Sequence, residues 1–121
     1  MSGHAPRPGS LSISSVSTNG TVSISLEGEL DLASARKMEE RLQAVDGEGP
    51  SRVIVDLGKL AFIDSTGLSL LLSVNEMSRD RGFALSIVST EDDPPGKIFR
   101  LTGTHTVLPL VDELPDFGPA A

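Results

Sequence analysis

Cysteine, tryptophan and tyrosine are absent from this 121-residue chain, and phenylalanine occurs only 4 times. Without thiols the chain forms no disulfide and offers no cysteine-ligated metal site. Without indole or phenol rings the core must be built from Leu, Ile and Val, and the protein is nearly silent at 280 nm. Basic residues are scarce: Lys and Arg total 10 against 17 Asp and Glu, a net charge of −7. That balance repels nucleic acid and anionic lipid, which require clustered Lys and Arg. Long apolar runs are missing too. The longest, Leu68 to Val74, includes Ser69 and Ser73 and is far shorter than the roughly 20 residues that span a bilayer. Met1 to Pro8 holds a basic residue but no apolar segment follows it, so no secretory signal is expected, and the cytoplasm is the expected compartment. His4 and His105 lie far apart without a spaced ligand partner, so neither predicts a metal site. Gly-x-Ser-x-Gly, Walker-type and dinucleotide-binding glycine patterns are all lacking, which leaves hydrolase, NTPase and dinucleotide-enzyme readings unsupported.

What is present suits one globular domain: 38% of residues are hydrophobic, enough for a single core but not for two. Residues 1–9, with Gly3, Pro6, Pro8 and Gly9, are expected to form a flexible extension, because so little apolar surface cannot offset the entropy of ordering. The domain is expected over 10–114. A tail follows over 115–121, where Pro115, Gly118 and Pro119 oppose helix formation.

Asn19-Gly20, between Leu11–Thr18 and Thr21–Leu26, is a strong hairpin signal because both residues tolerate positive φ. Val22, Ile24 and Leu26 alternate with Ser23, Ser25 and Glu27 as a half-buried strand does, whereas Val16 breaks the phase of Leu11 and Ile13 and predicts a bulge or a strand covered on both faces. Asp31 is placed to cap a helix with the apolar stripe Ala35, Met38, Leu42 and Val45. Val53-Ile54-Val55-Asp56-Leu57 reads as a buried strand, ended by Gly58 and Lys59 before Leu60–Ile63 bring the chain back. A helix follows from Ser65 to about Arg81, with Leu68, Leu71, Leu72 and Met77 near helical spacing. Phe83–Val88 predicts a strand, Asp92–Pro95 starts a short helix that stops at Gly103, and Val107–Val111 predicts a last strand whose Pro109 suits a sheet edge. Alternating strands and helices imply an α/β domain: a mixed, mostly parallel sheet of about five strands, its right-handed crossovers stacking the helices mainly on one face.

Ile63-Asp64-Ser65-Thr66-Gly67-Leu68 puts a hydroxyl where a buried strand gives way to a helix N-terminus. A phosphate there would add roughly −1.5 to −2 charges where the helix dipole favours them. The simpler alternative is that Ser65 or Asp64 serves only as an N-cap. Glu29 and Asp31 are read as turn and cap residues rather than as an acid/base pair, since no second distant carboxylate or sugar platform accompanies them. Asp56 ends a strand as a receiver's phosphoacceptor does, but the acidic pair that a receiver carries after its first strand is missing. Glu91-Asp92-Asp93 reads as a solvated loop before a helix.

Asp64-Ser65-Thr66-Gly67-Leu68 resembles the phosphorylation loop of the STAS-domain anti-sigma factor antagonists. Gly28-Glu29-Leu30-Asp31-Leu32 resembles that family's segment between the second strand and first helix, and Lys97-Ile98-Phe99-Arg100-Leu101-Thr102-Gly103 its third helix and following turn. The likeness covers roughly residues 10–112, in matching order and spacing. It implies a non-enzymatic switch without a cofactor. Unphosphorylated, it binds an anti-sigma factor that is also a serine kinase, with ATP bound by that partner; phosphorylation at Ser65, with Thr66 as the second choice, releases it, and a PP2C-type phosphatase restores it. The resemblance further implies that Glu29, Asp31, Asp64, Ser65, Thr66, Gly67 and Ser69 meet the partner. Ser69 stands where the family often has glycine, and the helix with which the family closes is not expected after Pro115. The alternative reading is a STAS scaffold or transport-associated module that binds constitutively, without a regulatory phosphate.

Overall fold

A computed structural model of the chain describes residues 10–115; the expected N-terminal extension and the tail beyond Pro115 lie outside them. Strands β1 (Leu11–Thr18) and β2 (Thr21–Leu30) form an antiparallel hairpin. Its turn residues Asn19 and Gly20 take φ of 52° and 80°, the doubly left-handed pair that matches the twist of a hairpin. The Gly20 carbonyl accepts the Ser51 and Arg52 amides at 2.8 and 3.2 Å, which ties this turn to the start of the third strand.

The pairing runs unbroken from Leu11 opposite Gly28 to Thr18 opposite Thr21, so no bulge lies at Val16. The side chain instead points outward, 62% exposed, and its broken phase is the mark of a residue on the other face. The irregularities lie between β2 and β3 (Arg52–Ile63). Ser25 to Glu27 is matched by Asp56 to Lys59, and Gly28 to Glu29 by Leu60 to Phe62, so β3 carries an extra residue at each place. Asp56 Oδ1 accepts the Gly58 amide at 2.9 Å. The Gly58-Lys59 break expected from sequence is therefore a bulge inside a continuous strand.

Helix α1 (Ala35–Glu48) buries Ala35, Met38, Leu42 and Val45, and ends at Gly49 in the left-handed region. Helix α2 (Ser65–Arg81) leads to β4 (Ala84–Val88), α3 (Pro94–Thr102), a 3₁₀ turn over Thr104–Thr106, and β5 (Leu110–Val111). The last strand is shorter than the expected Val107–Val111, because the Val107 and Leu108 amides turn back to Thr104 and Pro109 has no N–H for a ladder. The strands lie in the order β1-β2-β3-β4-β5, parallel except for the first pair.

Val22, Ile24, Val53, Val55 and Ile87 share one face of the sheet, and they form a single cluster with Met38, Leu42 and Val45 of α1, Leu71 and Val74 of α2 and Phe99 of α3. The helices thus cover that face. Each large aliphatic side chain buried there contributes about 1.5–3 kcal/mol. The other face carries Thr21, Ser23, Ser25, Asp56 and Ser86, all partly buried, with buried Ile54 and Val88 and exposed Val16 among its apolar members. In α2 the buried residues are Gly67, Leu70, Leu71, Val74, Asn75 and Ser78, with Leu68, Leu72 and Met77 at the margin. The core stripe is rotated from the expected one because Asn75 and Ser78 find carbonyl partners, Val107 at 3.5 Å and Asn75 at 2.7 Å, and can be buried.

Candidate functional site

The buried strands β2 and β3 end side by side, with Leu30 aligned with Ile63, and this brings the β2–α1 turn against the start of α2. Asp64 stands between them in extended backbone (φ −111°, ψ −171°) as the N-cap of α2. Its Oδ1 accepts the Gly67 amide at 3.0 Å and its Oδ2 the Leu32 amide at 3.3 Å. Its own amide donates to the Leu30 carbonyl at 3.3 Å. One carboxylate therefore caps a helix and holds the neighbouring turn.

Gly67 is buried, and a Cβ there would come within 2.5 Å of the Leu30 carbonyl oxygen and 2.8 Å of Ile63 Cγ1. Only a residue without a side chain lets α2 start this close to β2. Gly67 supports the loop from beneath, while Ser65 and Ser69 are exposed and Thr66 is partly buried.

Ser65 is the first residue of the 17-residue α2, not its cap. The first intrahelical bond of the helix runs from the Leu68 amide to the Asp64 carbonyl at 2.9 Å, so the Ser65 and Thr66 amides have no helical acceptor. The Ser65 hydroxyl faces solvent above donors and a dipole end that suit an anion. Of the two residues for which a capping role was the simpler reading, Asp64 is the cap and Ser65 is not.

The β2–α1 turn is built around Ser34. Its Oγ donates to the Glu29 carbonyl at 2.8 Å and accepts the Asp31 amide at 3.0 Å, and its amide donates to Asp31 Oδ1 at 3.0 Å. Ser34 rather than Asp31 is the N-cap of α1, and its hydroxyl makes no bond to the helix; the Asp31 carboxylate closes the turn instead. Both Glu29 and Asp31 are partly buried at this end of the sheet. All seven residues expected to meet a partner thus gather where β2, β3 and α2 converge.

Two large apolar residues near this end of the sheet are exposed, which the sequence did not lead one to expect: Leu32, 76% exposed, in the β2–α1 turn, and Phe62, 48% exposed, on β3. Phe62 is aligned with Glu29 and follows the extra residue Ala61, which turns it away from buried Leu60 although the two are only two positions apart; sequence phase therefore gave no signal for its exposure. A concavity of about 370 Å³ lined by Ser12, Ser14, Ser25, Glu27, Asp56 and Lys59 includes none of the seven. Among the described residues no group of three or more His, Asp or Glu could hold a metal ion, and no helix is long and apolar enough to cross a membrane.

The sequence model of the family described as "Mlab, STAS domain" matches residues 13–112. The anti-sigma-F factor antagonist RsfB of Mycobacterium tuberculosis is 32% identical over 69 residues, which are 57% of this chain and 57% of that protein's own length. The crystal structure of an anti-sigma factor antagonist from Mycobacterium paratuberculosis superposes with a TM-score of 0.74 at 25% identity, over 90% of this chain and 92% of that one. SpoIIAA of Bacillus in its phosphorylated form shares the fold, with a TM-score of 0.64 at 22% identity over 85% of this chain and 92% of the other.

Proposed function

Because this chain belongs to the STAS domain family, we propose that it is an anti-sigma factor antagonist switched by phosphorylation of Ser65. The observation that carries the reading is the division of labour at the start of α2: Asp64 holds the cap, and the exposed Ser65 hydroxyl is left available. Unphosphorylated, the chain binds an anti-sigma factor with serine kinase activity, in the cytoplasm, and so frees a sigma factor. The chain itself catalyses nothing and needs no cofactor; ATP belongs to the partner. Transfer to Ser65 places a dianion inside the contact surface, where it loses water without gaining a counter-charge. A thousandfold loss of affinity requires about 4 kcal/mol, within reach of one unpaired charge trapped in an interface. A PP2C-type phosphatase resets the switch. The names of the relatives support this role, and a protein of the same fold, SpoIIAA, exists in a phosphorylated form.

The test is to incubate the purified chain with ATP and each serine-kinase anti-sigma factor of its own genome, then locate any phosphate by peptide mass. A phosphate on Ser65, absent from Ser65→Ala, is the expected result. A phosphate on Thr66 alone moves the switch by one residue. Tight binding with no phosphate on either would instead favour a constitutive STAS scaffold.

A further inference from the structure

Among the described residues, β1 pairs with β2 on one side and with no strand on the other, so it is an open edge of the sheet. The residues that flank a two-residue turn, here Thr18 and Thr21, exchange hydrogen bonds, and such pairs alternate along an antiparallel ladder. Ser12, Ser14, Val16 and Thr18 therefore turn their amides and carbonyls to β2, while Leu11, Ile13, Ser15 and Ser17 turn theirs outward. The Leu11 carbonyl fits this phase, since Lys37 Nζ reaches it from α1. An edge of this kind is usually blunted by Lys, Pro, a bulge or a covering loop. Over its 8 residues β1 has neither Lys nor Pro, and its register is unbroken.

Side chains of α1 lie along the same edge. Lys37, Arg41, Ala44 and Glu48 follow the helical repeat on one side of α1, and three of them bond to β1: Lys37 at the Leu11 carbonyl, Arg41 at Ser15 Oγ at 2.6 Å, and Glu48 at Ser17 Oγ at 2.8 Å. The cations thus flank the first half of the strand and the carboxylate its far end. From Ser10 to Leu26 there is no Asp, Glu, Lys or Arg, in a chain whose net charge is −7. Two copies of so acidic a chain repel over most of their surface and are least opposed here. We propose that the occupant of this edge is a second copy of the chain, its β1 antiparallel to the first about a two-fold axis at Ser14, which joins the two sheets into one. Leu11 then lies opposite Ser17 of the second copy and Ile13 opposite its Ser15, so the outward amides and carbonyls meet in pairs. The same axis brings Lys37 toward Glu48 of the second copy at both ends, and it sets the exposed Val16 beside Ser12 of that copy. Ser65 takes no part, and the inference does not depend on the reading of that residue.

The experiment is sedimentation equilibrium of the full chain from about 1 μM to about 1 mM, with interference optics because the protein lacks Trp and Tyr. The wild type should pass from monomer to dimer within that range. Ser15→Pro removes an outward N–H that β2 does not use, so the hairpin should survive and the dimer should not. Lys37→Glu and Glu48→Lys each set like charges opposite one another and should weaken the dimer about tenfold; the two together exchange the charges and should restore it. Far-UV circular dichroism checks that each variant is folded, and if Ser15→Pro does not fold, the charge exchange decides alone. A wild type that stays monomeric up to about 1 mM overturns the inference. So does a dimer undiminished in folded Ser15→Pro, and so do single charge reversals that leave the dimer intact or that their combination does not rescue.

Discussion

The carbonyl oxygen of Leu30 lies 2.5 Å from where a Cβ on Gly67 would begin. No side chain fits between the end of β2 and the first turn of α2, so the position of the Ser65 corner depends on this contact. Gly67→Ala must push α2 away from backbone and from Ile63 rather than from a flexible side-chain tip. Overpacking of this kind costs about 1–3 kcal/mol. The loss should appear as a lower urea midpoint, followed by far-UV circular dichroism because the chain has no Trp or Tyr; an unchanged midpoint would mean that the approach is looser than described.

Asp64 has two separable tasks. Asp64→Ala removes the cap on Gly67 and the hold on Leu32, and should lower stability by about 0.5–2 kcal/mol, the usual range for a lost N-cap. Asp64→Asn keeps an oxygen for the Gly67 amide but presents an NH₂ group to the Leu32 amide, which cannot accept. Stability should then fall less than in Asp64→Ala, while hydrogen exchange at Leu32 should rise. Equal exchange at Leu32 in the wild type and Asp64→Asn would show that the turn holds without the carboxylate.

Phe99 is fully buried in the common cluster although it comes from the nine-residue α3. A helix that short is not stable by propensity alone, so its place depends on Phe99, on Asp93 capping the Gly96 amide at 2.8 Å, and on Gly96, where a Cβ would clash with the Thr90 carbonyl. Phe99→Ala should cost about 3–5 kcal/mol. For a domain with a typical stability of about 5–15 kcal/mol, a large part of the folded population is at risk, and thermal melting should show a drop of many degrees.

Local signals were read well where one residue type answers to one backbone need. Asn19-Gly20 gave the hairpin, Gly103 the end of α3, and the stripe from Ala35 to Val45 the buried side of α1. The departures arise where distant groups intervene. Asp31 does not cap α1 because its carboxylate takes the Ser34 amide, and Ser34 at the cap position turns its hydroxyl to the Glu29 carbonyl, contacts made only when the turn closes. Asn75 and Ser78 entered the core because carbonyls reach them. β3 passed through Gly58 because Asp56 takes the amide that a plain ladder would leave unpaired. At the candidate site, Asp64, Ser65 and Gly67 were legible as a motif, but the bond from Leu32 to Asp64 joins residues 32 positions apart, and no periodicity reports it.

The regulatory chemistry makes its own prediction about stability, distinct from its effect on binding. A negative charge at the first position of α2 meets the helix dipole and the Ser65 and Thr66 amides, an arrangement typically worth about 0.3–1 kcal/mol in favour of the fold. Nearby Asp64 opposes it through like-charge repulsion, which solvent screens at this exposed position. Ser65→Glu should therefore unfold at a urea midpoint equal to or slightly above that of Ser65→Ala, while losing partner affinity that Ser65→Ala keeps. The two measurements separate a switch from damage: a Ser65→Glu chain that is both unfolded and unable to bind would show that the position is structural, whereas a folded chain that fails to bind places the effect of the charge in the interface.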